Sequence, residues 1–437
     1  MSKRSVTIIG GGLAGCEAAW QLSRSGVAVL LYEMKPTIYS PAHKSENLGE
    51  LVCSNSLKSG FLENASGLLK EEMKELDSLM IEAAYATRVP AGSAIAVDRD
   101  EFSTYITKRL EERNNVEIVR EECKTIPSGS PVIIATGPLT SESLSCELSS
   151  LIGEEFLYFY DAISPTLYSE SIDFDIAFKA SRYAKGGDDY INCPMNKEGY
   201  YALIDELLNA EKVKLKGFEK EAYFEGCMPV EVIAERGRET LAYGPMKPVG
   251  LINPKTGKQA YAVVQLRREN SSGTLYGMVG FQTKLTYPEQ KRIFSMIPGL
   301  EKVEFARYGS LHRNTYINSP EVLKSTLQLR SDQFVYIAGQ LTGVEGYCES
   351  GAMGIVAGIN AAHFVKDLEP TIPPPSTMIG ALIDYITCSD KKEFQPMNAN
   401  FGILPSPNVK GGKKVRRMAM VEKAISDIRE WREKISL

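Results

Sequence analysis

A chain of 437 residues with 43% hydrophobic side chains carries enough apolar material for a large core, which excludes a disordered chain and predicts two domains, or one large domain with an insertion. With 24% charged residues and a formal net charge of −5 there is no global basic field, so any nucleic-acid contact has to be a local basic surface. The absence of any run of 18 or more apolar residues predicts no membrane span, and eight cysteines with no CxxC pair or metal-ligand spacing predict reduced thiols in a cytoplasmic protein with no metal site.

From Lys3 and Arg4 the chain passes straight into SVTII (residues 5–9), which reads as a buried parallel strand rather than a secretory leader. GGGLAG follows, then CEAAWQLSRSG as a helix closed by Gly26, then the strand VAVLLYE, which completes a βαβ unit. The polar stretch from Ser40 to Ala65 reads as loop with short helices, and a helix is expected at about 67–85. A helix at 100–113 and the strand VEIVR precede PVIIATG (131–137), an apolar strand ending in small residues, the form of a strand that feeds a ligand site.

Beyond about residue 180 the texture changes to short β-type runs such as YAVVQLRR and TLYGMVGFQT, punctuated by Gly and Pro, which predicts an inserted α+β domain. At 334–358 the pattern returns to strand, Gly-rich turn and helix. The expected organisation is therefore α/β: a discontinuous Rossmann-type domain formed by 1–184 and 309–437, with 185–308 inserted and a helical tail at the C-terminus. From Asn408 that tail carries nine Lys/Arg against four Asp/Glu, which makes Lys410, Lys413, Lys414, Arg416 and Arg417 candidate phosphate contacts, with a solvated helix end as the plain alternative.

Gly10, Gly12 and Gly15 form G-x-G-x-x-G between the first strand and helix, and Glu33 closes the next strand 18 residues after Gly15. The glycines let the backbone turn tightly and approach a pyrophosphate, the helix N-terminus offers unpaired N–H groups, and the carboxylate accepts hydrogen bonds from ribose hydroxyls. Gly10, Gly11, Gly12, Leu13, Ala14, Gly15 and Glu33 are thus the expected dinucleotide contacts. There is one fingerprint, which fits a resident FAD together with a nicotinamide nucleotide that docks transiently; Gly339 and Gln340 in the late AGQ segment are expected to return the chain to the flavin or its phosphates.

The strings ELVCSNSLKS, FEGCMPVEVIAERG, LAYGPMKPVGL, YGSLHRNTYIN and AGQLTGVEGYCESGAMG, together with the fingerprint, resemble the folate- and FAD-dependent tRNA (uracil-5-)-methyltransferase family, TrmFO, over essentially the whole chain. The AGQ and GY elements are also similar to those of the MnmG flavoproteins, which remodel wobble uridines. The TrmFO resemblance implies methylation of carbon-5 of the T-loop uridine of tRNA, position 54, with 5,10-methylenetetrahydrofolate as carbon donor and FAD reduced by NADPH or NADH. Carbon-5 of uracil becomes nucleophilic once a group adds to carbon-6, and a thiolate suits that addition. The resemblance implies that Cys227 is this nucleophile, that Cys53 acts near the flavin on the one-carbon unit, and that His312 stacks on the pterin. It also implies that Glu345, with Gly346 and Tyr347, lies beside the flavin.

Glu225, Glu231 and Arg236 stand near Cys227 in sequence, and the sequence leaves open which group, if any, tunes its thiol. His43, His363 and the other six cysteines read as surface or core residues, with Cys16 packed against the sheet. Rival functions are an NAD(P)H-dependent flavin oxidoreductase acting on a small molecule, a noncatalytic tRNA-binding flavoprotein, and wobble-uridine chemistry of the MnmG type, which the resemblance associates with a partner GTPase and a longer chain. Oligomeric state is open.

Overall fold

The computed structural model describes residues 5–435, apart from 154–155, 185–186, 214–222, 225–226, 391 and 393. The chain opens with β1 (Ser5–Ile9), α1 (Leu13–Arg24) and β2 (Ala28–Tyr32), continues through α2 (Ala65–Glu75) to β3 (Val116–Val119) and β4 (Val132–Ile134), and leaves this region along β5 (Leu157–Ile163). It then builds β6 (Thr166–Tyr168), β7 (Phe178–Lys179), β8 (Tyr190–Met195), α3 (Lys197–Asn209), β9 (Ala262–Arg268), β10 (Leu275–Met278) and β11 (Phe305–Arg307). It returns along β12 (Ser310–Tyr316) to β13 (Val335–Ile337), α4 (Tyr347–Val365), α5 (Met378–Cys388) and α6 (Lys413–Lys434).

A five-stranded parallel sheet in the order β13-β4-β1-β2-β3 forms the first body, so its edge strand comes from near the far end of the chain. Its strands are continuous apolar runs because helices bury them, as a parallel sheet demands; Val6, Ile8, Ile133 and Ile337 are inaccessible to solvent. Helices α1 and α4 pack together with their backbones in contact: a side chain at Gly354 would stand 2.1 Å from the Ala14 carbonyl oxygen, and one at Gly358 would stand 2.9 Å from that of Ala18.

The second body is an antiparallel six-stranded sheet, β7-β8-β9-β10-β6-β11, with its own apolar core. Helix α3 presents Tyr200, Leu203, Ile204 and Leu207 to that core, an i, i+3, i+4, i+7 stripe that explains why this segment is helical and how it is oriented. The sheet takes β6 and β7 from residues before 185. Between the two bodies runs the antiparallel ribbon β5–β12, in which His312 pairs directly with Asp161.

Two local expectations change. The helix expected at 67–85 is two helices, α2 and Leu79–Ala86, because Asp77 turns into the left-handed region (φ 55°) and the hydroxyl of Ser78 caps the second helix by accepting the N–H of Ile81 at 3.2 Å. The stretch expected to be loop, 40–65, contains the strand Ser56–Ser59, which pairs with Ala94–Val97.

Candidate active site

The turn between β1 and α1 is shaped by close approach. Gly10 has φ 106°, and a side chain at Gly15 would lie 1.9 Å from the Gly10 carbonyl oxygen, so both positions exclude any larger residue. Gly12 differs: nothing lies within 4 Å of where its side chain would be, and it begins α1 with no side chain capping the helix. The first-turn N–H groups therefore face open space, an arrangement suited to a phosphate. Glu33 is buried at the end of β2, its Oε2 accepting the N–H of Gly11 at 3.0 Å and its Oε1 that of Lys35 at 3.0 Å.

These groups line one cavity of about 460 Å³. Gly10, Gly11, Gly12, Leu13, Ala14 and Glu33 form one end, while Gly15 is absent from the wall because it packs into the turn itself. Gly339, Gln340 and Glu345 reach the same cavity from the β13–α4 connection. Gly339 has φ 78°, and a side chain there would press on Ala14 at 2.8 Å. The uncapped α1 terminus, the open space at Gly12 and the placement of Glu33 together fit the adenosine diphosphate half of FAD.

Cys53, Cys227 and His312 line the same cavity around Asp161, brought there from three separate parts of the chain. The segment carrying Cys53 is held by side chains on all sides. Tyr347, at the first turn of α4, accepts the backbone N–H groups of Cys53 (2.8 Å) and Ser54 (3.1 Å). Arg99 and Arg307 donate to the carbonyls of Leu51 (3.0 Å) and Val52 (2.8 Å), and Arg267 donates to the Ser54 hydroxyl at 2.7 Å. Cys227 lies just before a short helix, Val230–Glu235, and its N–H donates to the Phe224 carbonyl at 3.0 Å. The Nε2 of His312 is 2.9 Å from the Ser310 hydroxyl.

The sequence had left the partner of Cys227 open, and the carboxylate facing it is Asp161, from the facing strand β5. The Sγ of Cys53 donates to Asp161 Oδ2 at 3.1 Å, and the Cys227 thiol is within hydrogen-bonding reach of the same carboxyl group. Glu231 is turned away, accepting from the Thr283 hydroxyl at 3.0 Å and the Lys284 N–H at 2.6 Å; Glu225 is outside the described residues. Burial pushes both thiols well above the usual cysteine range, and the negative charge of Asp161 pushes them further. Asp161 is itself raised by burial, with hydrogen bonds from Cys227, Cys53 and Asn314 opposing the shift. Burial lowers His312, against the pull of Asp161.

Among the remaining expectations, Cys16 is buried in α1 and donates to the Gly11 carbonyl at 3.3 Å, and His363 is buried with its Nδ1 2.6 Å from the Glu369 carbonyl. His43 lines the cavity rather than the outer surface, its Nδ1 2.6 Å from the Ser40 hydroxyl. No group of metal-ligating side chains occurs among the described residues, and no helix among them is long and apolar enough to cross a membrane.

Comparison with known proteins decides the family. Residues 5–369 match the family model described as glucose inhibited division protein A. The protein of Geobacter sulfurreducens named methylenetetrahydrofolate--tRNA-(uracil-5-)-methyltransferase TrmFO is 56% identical over 428 residues, covering 98% of each chain. Proteins of the same name from Citrifermentans bemidjiense and Heliobacterium modesticaldum are 55% and 56% identical, covering 99% and 98% of this chain and 100% and 98% of their own. The chain belongs to the TrmFO family. GidA of Aquifex aeolicus superposes with a TM-score of 0.73 in each of two crystal forms, at 19% and 18% identity. It matches 99% of this chain against 73% and 76% of GidA, so the likeness extends to the fold.

Proposed function

We propose that this chain methylates carbon-5 of the T-loop uridine of tRNA, position 54, with 5,10-methylenetetrahydrofolate as carbon donor and FAD, reduced by NADPH or NADH, as electron carrier, in the cytoplasm. The observation that carries the reading is the convergence of Cys53, Cys227 and His312 on the cavity that begins at the nucleotide turn, in a chain 55–56% identical over its full length to TrmFO proteins. In this reading 309–437 and the part of 1–184 outside β6 and β7 make the FAD domain, and 185–308 with those two strands makes the insertion. FAD, when bound, supplies the electrons that convert a methylene group to methyl.

The chain's own residues do the rest. The α1 terminus and Glu33 hold the dinucleotide, with Gly339, Gln340 and Glu345 beside its flavin half. His312 stacks on the pterin, and Cys53 serves the one-carbon unit from the flavin side. The Cys227 sulfur adds to carbon-6 of an unstacked uridine, which moves electron density onto carbon-5 and makes it able to take up the carbon unit. The exposed first turn of α6, with Lys413, Lys414 and Arg416, is a candidate phosphate contact for the T-arm.

The test is methyl incorporation into unmodified tRNA transcript from labelled methylenetetrahydrofolate with NAD(P)H, followed by nucleoside analysis, for native protein and Cys227→Ala. Labelled 5-methyluridine from the native protein alone is the expected result. A flavin that NAD(P)H reduces but no methylated nucleoside would overturn the reading and favour a small-molecule flavin oxidoreductase.

A further inference from the structure

The two cysteines and the uracil chemistry leave a proton unassigned. Sulfur cannot add to carbon-6 as a neutral thiol without releasing its proton, and a group of the chain beside the thiol is placed to accept it. The carboxyl groups beside the Cys227 thiol are Asp161 on β5 and Glu345 before α4, and His312 faces Asp161 across the β5–β12 ribbon. His312 is engaged with Ser310 and Glu345 with Gln340, whose Nε2 donates to it at 2.5 Å.

Asp161 is built differently. It is buried in an otherwise apolar stretch of β5, and its two oxygens have separate surroundings. Oδ2 accepts from Cys53 at 3.1 Å and from Asn314 Nδ2 at 3.4 Å. Oδ1 is buried with no hydrogen-bond partner among the described residues. A buried carboxylate oxygen left unpaired is costly and calls for an explanation.

Building on the methyltransferase reading, we propose that Asp161 is the general base of the reaction: its carboxyl group, held through Oδ2 by Cys53 and Asn314 and with Oδ1 free of other hydrogen bonds among the described residues, receives the Cys227 thiol proton as sulfur adds to uracil. In this step the S–H bond breaks and its proton passes to Asp161. A sulfur lone pair forms the S–C6 bond, and the C5–C6 π pair moves into the enolate ending at O4. The negative charge thus passes from Asp161 to the uracil ring, with no change of oxidation state. When the sulfur leaves, the same carboxyl group returns the proton. Before uridine arrives, a thiolate beside the carboxylate would place two like charges side by side, so the thiol stays protonated. The arrangement keeps the nucleophile unreactive until its substrate accepts the charge.

This role predicts two effects of opposite sign, which a purely structural role does not. In Asp161→Asn the repulsive charge is gone, so alkylation of Cys227 by iodoacetamide at pH 7–8, followed by peptide mass analysis, becomes faster. With no group to take the proton, 5-methyluridine formation in the same preparation falls by about a hundredfold or more. Asp161→Glu, which keeps a carboxylate, recovers part of the methylation, and both variants are compared at equal bound FAD. An Asp161→Asn protein that methylates within about threefold of native overturns the proposal, since general-base catalysis contributes far more than that. Asn and Glu variants that are equally inactive overturn it too, by assigning Asp161 to the fold. Native protein that makes no 5-methyluridine overturns the methyltransferase reading itself, and is told apart because it appears before any variant is made.

Discussion

The phenol oxygen of Tyr347 accepts the backbone N–H of Cys53 at 2.8 Å, joining two residues 294 positions apart in sequence. The same oxygen accepts the N–H of Ser54, so one side chain at the start of α4 satisfies two amides and fixes where Cys53 points. Tyr347→Phe keeps the ring and leaves both amides without that partner. Each unsatisfied group costs about 1–3 kcal/mol. The variant is expected to unfold at lower denaturant concentration with an unchanged m-value, and to methylate more slowly while Cys227→Ala remains the more severe lesion. Urea titration and single-turnover methylation check this.

Gly12 and Gly15 separate folding from cofactor binding. Gly15→Ala forces a methyl group against the Gly10 carbonyl, a backbone atom that cannot move without breaking the turn, and should cost on the order of 3 kcal/mol and release the protein largely free of flavin. Gly12→Ala meets no protein atom, and φ −76° with ψ −173° suits alanine. It should melt like the native protein yet bind FAD at least about tenfold more weakly, equivalent to about 1.4 kcal/mol, because its methyl group enters the space left for the ligand. Thermal melts of the apoproteins and FAD titration by fluorescence distinguish the two.

Glu72 predicts a pH dependence. Its carboxyl group accepts the N–H groups of Met378 (2.7 Å) and Ile379 (2.9 Å) at the start of α5, but burial pushes its pKa up to about 8, from 4.5. The native state therefore binds the proton more tightly than the unfolded chain. This contribution to stability is fully present below pH 4.5 and is lost as pH rises through 8. Glu72→Gln removes the titration, so across this window its stability should fall less steeply than that of native protein, by about 1.4 kcal/mol per pH unit for one proton. Urea unfolding at several pH values measures the difference; parallel curves would contradict it.

The tail makes a further prediction. Arg429 and Arg432 are tied to Glu75 and Asp77, which pins the end of α6 to the first body, whereas Lys413, Lys414 and Arg416 stand exposed at its beginning. If this end meets the T-arm, Lys413→Glu with Lys414→Glu weakens tRNA binding and lowers the slope of log K against log salt by about two. FAD content should not change. Fluorescence anisotropy across a salt series reads both quantities.

The nucleotide turn was legible in sequence because its residues are close together and each has a conformational reason to be there: Gly10 for its positive φ, Gly15 for the contact with Gly10, Glu33 for the end of β2. The convergence of Cys53, Cys227 and His312 is a property of the fold and could be read only through resemblance. Asp161 was missed, although its signal is present, a lone acidic residue within the aromatic and apolar run LYFYDAI. Arg99, Arg267 and Arg307 were missed because a guanidinium that holds a distant loop, through its carbonyls or a hydroxyl, looks in sequence like any surface arginine. The beginning of the antiparallel sheet is equally hard to read, since β6 and β7 are three and two residues long and show no alternation.

The packing of α4 on α1 also sets an order of events during synthesis. The first body cannot close when its first 134 residues have left the ribosome, because the edge of its sheet is β13 and the helix that covers α1 ends at Val365. Until then β4 has an open edge, and the face of α1 at Ala14 and Ala18, on which Gly354 and Gly358 of α4 pack, is uncovered. A nascent chain thus carries its nucleotide turn unfinished while the whole antiparallel body is made, and a message cut anywhere before that point yields no smaller flavoprotein, only an exposed strand edge open to chaperones or to aggregation.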